Sequence, residues 1–350
     1  MSPRLASLLK QVQPAGVILF ARNIENPQQT WRLLRDCQKC VEKPLFTCID
    51  LEGGTVDRLR DALGAAPSAA EVFAADNPKL FRRHGQIIGE NCRALGFNVD
   101  FAPVFDLAFE ASRAVMGTRV VSSVPEAVAA YASEFLAGLK KAGVLGCGKH
   151  FPGLGEANLD SHHELPVIEK SSKALWAEDL LPYRVLRREI PFVMVAHAAY
   201  PQVTKTRIPA SLSRLWITDI LSKKIGYRGL VVSDDLEMGG VLAAASLGEA
   251  AVGSVQAGAD LCLVCHHEDR VLEAHEALIK GAERDRKFAE CAAQAARRVL
   301  ASKKRCGKRL RLGKAPSPAL VEKLTRNLWE FGEQVRLGPL SRREDRRRRG

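Results

Sequence analysis

No apolar run in this chain reaches the roughly 18–20 residues that a membrane-spanning helix requires, so a membrane location is not expected. The first residues, MSPRLASLLKQVQPAG, lack the long apolar core and small-residue cleavage site of a secretory signal, which makes a cytoplasmic enzyme the expectation. No second C-x-x-C lies near Cys37 and Cys40 to complete a zinc site, and no His-x-His ends an early apolar run as metal-dependent barrel hydrolases favour. The body of the chain also lacks excess charge. Of the formal net +12, residues 303–350 supply +11 from sixteen Lys/Arg and five acids, leaving +1 for the first 302 residues. No broad basic face remains for phosphates to follow, and a nucleic-acid partner is not expected. The closing RREDRRRRG reads as a basic, solvated, disordered tail over 341–350.

What is present points to one large, well-packed domain. Hydrophobic residues make up 46% of 350, enough to bury a sizeable core. Nine cysteines are scattered through predicted strands and helices, as small core residues of a reducing compartment would be. Cys262, Cys265 and His266 form the C-x-x-C-H string of covalent haem attachment. They sit in an apolar run, GADLCLVCHHED, that reads as a buried strand in a chain without an export signal, so the structural reading is preferred.

Seven apolar runs alternate with longer amphipathic stretches: GVILF (16–20), PLFTCID (44–50), FNVDFAPVFDL (97–107), GVLGCGKH (143–150), PFVMVAH (191–197), GLVVSDD (229–235) and LCLVCH (261–266). They lack polar alternation, as strands covered on both faces should. Helical candidates lie near 27–42, 78–95, 125–142, 172–190, 212–224, 246–257 and 269–306, and the alternation predicts an α/β fold with a parallel sheet, open or closed into a barrel. MSPRLASLLKQVQP reads as helix, so a conventional first strand is not legible before the first run. Residues 315–336 read as a last amphipathic helix with Leu320, Leu324, Leu328 and Phe331 at core spacing. The expected division is a catalytic unit over 1–306, a helical extension over 307–340 packing on it, and the tail.

The runs end in Asp50, Asp106, Lys149-His150, His197, Ser233-Asp234-Asp235 and His266. One such Asp could simply cap the next helix. Six polar endings together place ionisable groups on one face, where barrel enzymes build their sites. Three constellations extend them. In Asp50-Leu-Glu-Gly-Gly-Thr-Val-Asp-Arg58, the glycines permit a sharp turn that lets Asp50 and Arg58 face one ligand, although a loop-holding salt bridge reads equally well. From Lys149 to His163, a Gly/Pro-punctuated loop carries Asp160 and His162, spaced to form a carboxylate–imidazole dyad or to ligate a metal. In Gly229–Met238, Asp234 ends an apolar strand, well placed to attack an anomeric carbon.

In this order, GVILFARN, IDLEGG-TVDRL, FAPVFDL, GTR, KHFPG-LG with DSH, and VVSDDLEMGG resemble glycoside hydrolase family 3, and above all its β-N-acetylglucosaminidases of bacterial cell-wall recycling. The resemblance covers roughly residues 15–300. It implies a TIM-like (β/α) barrel, here lacking the usual first strand, and a retaining mechanism with Asp234 as nucleophile. His162, paired with Asp160, would be the acid/base, and Asp50, Arg58, Arg119, Lys149 and His150 would bind the terminal N-acetylglucosamine. Neither metal nor organic cofactor is implied. The substrate would be a GlcNAc-containing muropeptide and the enzyme a monomer or homodimer. The alternatives are a related β-glycosidase or glycoside phosphorylase, or a muropeptide-binding paralogue without turnover. One departure stands out: the family pattern KHFPGHG reads KHFPGLG here, with Leu154 in place of the second histidine, which bears on affinity more than on chemistry.

Overall fold

The computed structural model describes residues 1–157 and 164–349, those from 339 onward by their backbone alone. Each of the seven apolar runs contributes a strand. They are β1 (Gly16–Leu19), β2 (Phe46–Ile49), β5 (Val99–Asp100), β6 (Cys147–Phe151), β7 (Phe192–Val195), β8 (Leu230–Asp235) and β9 (Leu261–Leu263), while β3 (Leu51–Gly53) and β4 (Val56–Asp57) form a small antiparallel hairpin after β2. All pairings among the seven are parallel, in the orders β1-β2-β5 and β6-β7-β8-β9. Single bridges, Val99 to Leu145 and Val104 to Lys149, connect the two sheets. The run over 97–107 pairs so briefly because Pro103 has no N–H to donate.

The closed barrel expected from the sequence is not completed by hydrogen bonds. Among the described residues, no ladder joins β9 to β1. Side chains span this seam instead. Arg22 Nη2 donates to the Cys265 carbonyl at 2.6 Å, the Phe20 and His266 rings stack with centroids 5.9 Å apart, and Arg4 on the helix Pro3–Val12 pairs with Glu268 at 2.8 Å. The first residues are helical, as their pattern predicts.

Local chemistry sets the other boundaries. Asn26 Oδ1 accepts from Gln29 N–H at 2.9 Å, with Pro27 opening the helix Pro27–Lys39. The helix expected over 172–190 is two short ones, Ser172–Ala177 and Leu181–Leu186, and Pro182 opens the second. The one expected over 269–306 is also two, Glu268–Arg284 and Arg286–Cys306, because Asp285 leaves helical geometry and caps the second through Lys287 N–H.

Helices cover the outside of the strands. The last, Pro318–Arg349, buries Leu324, Leu328, Phe331 and Val335 in the cluster that holds Leu59, Val72 and Phe81. Leu320, counted into that stripe by spacing, is instead 37% exposed, and Val335 takes the fourth place. The backbone stays helical to Arg349, where composition alone suggests a tail. All nine cysteines are unpaired, and Cys262 within β9 is partly buried and packs against an apolar cluster. No helix among the described residues is long and apolar enough to cross a membrane.

Candidate active site

A cavity of about 400 Å³ opens at the C-terminal ends of the strands and gathers Asp50, Arg58, Arg119, Lys149, His150 and Asp234. These are six of the eight residues to which the sequence assigns a role. Asp160 and His162 lie outside the described residues.

The hairpin after β2 brings the first pair in. Gly53 and Gly54 have φ of +83° and +60°, the left-handed region that suits a tight hairpin turn. A Cβ at Gly53 would lie 2.1 Å from the Pro67 carbonyl oxygen, so no other residue fits there. The chain then returns through β4, and Arg58 faces the cavity with Asp50. Among the described residues no salt bridge joins them, and Asp50 pairs instead with Lys149. The buried Arg58 Nε has no hydrogen-bond partner among the described residues, and its guanidinium lies 5.6 Å from the Phe20 ring centre.

On the floor, charges are paired before any ligand arrives. Lys149 Nζ sits 2.8 Å from Asp50 Oδ1 and 2.6 Å from Glu52 Oε1. Arg119 grips the same Glu52 with two parallel bonds, Nε to Oε2 at 2.8 Å and Nη2 to Oε1 at 2.9 Å. Burial opposes the ionised form of Glu52, but Arg119 and Lys149 outweigh it and hold its carboxyl far below the usual range. For Lys149, burial is likewise outweighed by Asp50 and Glu52, and its ammonium is held above the ordinary value. Glu52 was given no role by the sequence, yet it ties two predicted ligand-binding cations together. Its only early signal was the period of two that sets it beside Asp50 on an extended strand.

Two strand-end residues act from behind the cavity. Asp106 Oδ2 lies 2.6 Å from His150 Nδ1, and its Oδ1 accepts from Leu154 N–H at 2.7 Å, so one buried carboxylate fixes both the imidazole and the start of the following loop. His197 is fully buried between Ser211 Oγ (2.7 Å) and the Asp235 carbonyl (3.0 Å), steadying the backbone beside Asp234. Leu154 is 5% exposed in an apolar cluster with Phe105, Phe151 and Ile168 while also bordering the cavity.

Asp234 is the penultimate residue of β8, and its Oδ1 accepts from Asp235 N–H at 2.9 Å. Burial pushes its carboxyl up, but the imidazoles of His150 and His197, that N–H and Lys149 more than compensate, so it is held below the ordinary value. The adjacent Asp235 goes the other way, pushed up to about 6 chiefly by burial. Two neighbouring carboxyls are thus shifted in opposite directions.

The model of the glycosyl hydrolase family 3 N-terminal domain matches residues 1–301. The chain belongs to glycosyl hydrolase family 3. Among curated relatives, a β-hexosaminidase of Bordetella avium is 39% identical over 73% of this chain and 74% of its own length. A second from Idiomarina loihiensis is 33% identical over 77% and 81%. Among solved structures, a family 3 β-N-acetylglucosaminidase from Paenibacillus sp. superimposes with a TM-score of 0.89 at 33% identity, covering 95% of this chain. This chain spans 65% of the length of that structure. NagZ from Neisseria gonorrhoeae, solved in complex with N-trifluoroacetyl-D-glucosamine, gives 0.72 at 31% identity, covering 85% of this chain and 95% of its own. This family 3 protein is accordingly a glycoside hydrolase of β-hexosaminidase type.

Proposed function

We propose that this hydrolase is a retaining β-N-acetylglucosaminidase that removes terminal β-linked N-acetylglucosamine from muropeptides through a covalent glycosyl-enzyme. The observation that carries the reading is the position of Asp234: a carboxylate kept ionised, facing the cavity whose floor is a preset charge network. The Neisseria relative's bound N-acylated amino sugar supports that ligand class.

In this reading Asp50, Arg58, Arg119, Lys149 and His150 receive the terminal sugar. Lys149 has used two of its three donors, and of the two Nη1 hydrogens of Arg119 one goes to Met116 Sδ at 3.9 Å, so both residues retain capacity for hydroxyls. An Asp234 oxygen bonds to the anomeric carbon as the bond to the leaving oxygen breaks, and His162 gives that oxygen a proton. Asp160 stabilises the charged imidazole formed in the return step. Water, deprotonated by His162, then attacks the same carbon and releases Asp234 with configuration retained. The scaffold is read as a (β/α) barrel with an open seam over 1–306, a packed extension over 307–340 and a basic tail over 341–350, acting in the cytoplasm.

The test is nitrophenol release from para-nitrophenyl N-acetyl-β-glucosaminide. Wild type should turn over, and Asp234→Ala should lose at least about 10⁴-fold, the scale expected when a nucleophile is removed. Asp234→Ala should remain folded. A well-folded wild type that releases nothing overturns the reading. His162→Ala should hurt substrates with poor leaving groups more than good ones; equal losses with both would remove His162 as the acid.

A further inference from the structure

The open seam places on the cavity's rim a feature that the mechanism above does not use. Phe20, just past β1, and His266, just past β9, both border the cavity. Their rings stack at 5.9 Å with 27° between planes. His266 is also held at Nε2 by Asp235 Oδ2 at 3.2 Å, and Asp235 adjoins the proposed nucleophile. On the other strand, Arg22 lies 4.6 Å from the Phe20 ring centre and bonds the Cys265 carbonyl, so the stack is braced from both sides of the seam.

Exposure separates this pair from the floor. Lys149 and Glu52 side chains are each 3% exposed, whereas that of His266 is 47% exposed. A terminal sugar seated among the floor charges leaves the next unit of the substrate at the rim. There a flat ring, fixed at one nitrogen and backed by an aromatic face, offers an apolar surface to the C–H face of a pyranose.

We propose that His266, braced by Phe20 and Asp235, forms a leaving-group subsite that stacks against the second sugar ring of the substrate. This rests on the glycosidase reading and makes His266 a specificity-determining residue outside the bond-breaking chemistry.

The experiment compares two substrates. One is the β-1,4-linked disaccharide of N-acetylglucosamine, whose leaving group is a sugar ring. The other is N-acetyl-β-glucosaminyl fluoride, whose leaving group is a single atom and reaches no subsite. His266→Ala should lower kcat/KM for the disaccharide about five- to tenfold, mainly through KM, and for the fluoride less than about twofold. His266→Phe, which keeps a flat ring, should recover most of the loss. Equal losses on both substrates would mean that His266 acts through Asp235 on the nucleophile, and would overturn the subsite, as would an undiminished disaccharide rate in His266→Ala. Failure of Phe to rescue would overturn stacking as its basis. A wild type that cleaves neither substrate would instead sink the glycosidase reading itself, and the subsite with it.

Discussion

The floor of the cavity and the wall at its seam are held by different forces. On the floor, β2, the hairpin β3–β4, β6 and the short turn Gly117–Arg119 link Asp50, Lys149, Glu52 and Arg119 into one chain of contacts at 2.6–2.9 Å, nearly all of it buried. At the seam, β1 and β9 share no ladder among the described residues, and stacking, a side-chain-to-carbonyl bond and exposed ion pairs do the joining. Buried charges tolerate little misplacement because an unpaired one is costly, so the floor is held in one geometry. Exposed contacts cost little to rearrange, and a wall made of them suits the more variable part of a substrate.

The sharpest way to break this contrast is Glu52→Gln. It leaves Arg119 and Lys149 short of their shared counter-charge, and chemical denaturation should show a loss of about 3–5 kcal/mol together with a raised KM. A loss below about 1 kcal/mol would mean that the floor is not electrostatically fixed. Leu154→His, which restores the family's commoner loop residue, should cost about 1–3 kcal/mol because it places a polar ring in an apolar cluster. If instead it stabilises the protein and lowers KM, the loop is organised by the substrate and not by that cluster.

The pH dependence should also divide the two regions. Glu52 has its folded pKa depressed, so its contribution is fully present above the unfolded value of about 4.3 and is lost only as pH falls through the depressed one. The floor therefore adds no slope near neutrality. Asp235, beside the seam, is pushed up to about 6 by burial, so the native state binds the extra proton between the unfolded value and that one. Its contribution to stability must fall as pH rises through this window. Thermal melts across that window should show a shallower decline for Asp235→Asn than for wild type, and an unchanged slope would contradict the assignment. The smallest effect is expected at the seam itself. Arg22→Ala removes one bond to a carbonyl and one contact with Phe20, and should cost about 1 kcal/mol or less. A loss several times larger would show that the seam, not the floor, limits stability.

Much of this was readable in advance because it is local. The seven strands follow from unbroken apolar runs, and Asn26-Pro27 marks a helix start through its own hydrogen bond. Strand ends were enough to collect Asp50, Lys149, His150 and Asp234 on one face, since parallel strands all point their C-termini the same way. Glu52 was not readable as the centre of the floor, because its partners lie 67 and 97 positions away in sequence. Asp106 and His197 looked like cavity residues and proved to be supports, a distinction that depends on which way a buried side chain turns. Leu320 and Val335 changed places because spacing gives a helix its stripe, but the neighbour decides where the stripe ends.

The sequence by itself determined the alternation of strand and helix, the family and the chemical types at the strand ends, all of which are set by periods of a few residues and by motifs. The tertiary structure alone decided that the strand ladder stops short of closing, that one glutamate binds two cations into a fixed floor, and that an imidazole and a phenyl ring meet across the gap. Those outcomes depend on distances between residues far apart in the chain, and Coulomb energy, stacking and desolvation act through space, with no trace in local pattern.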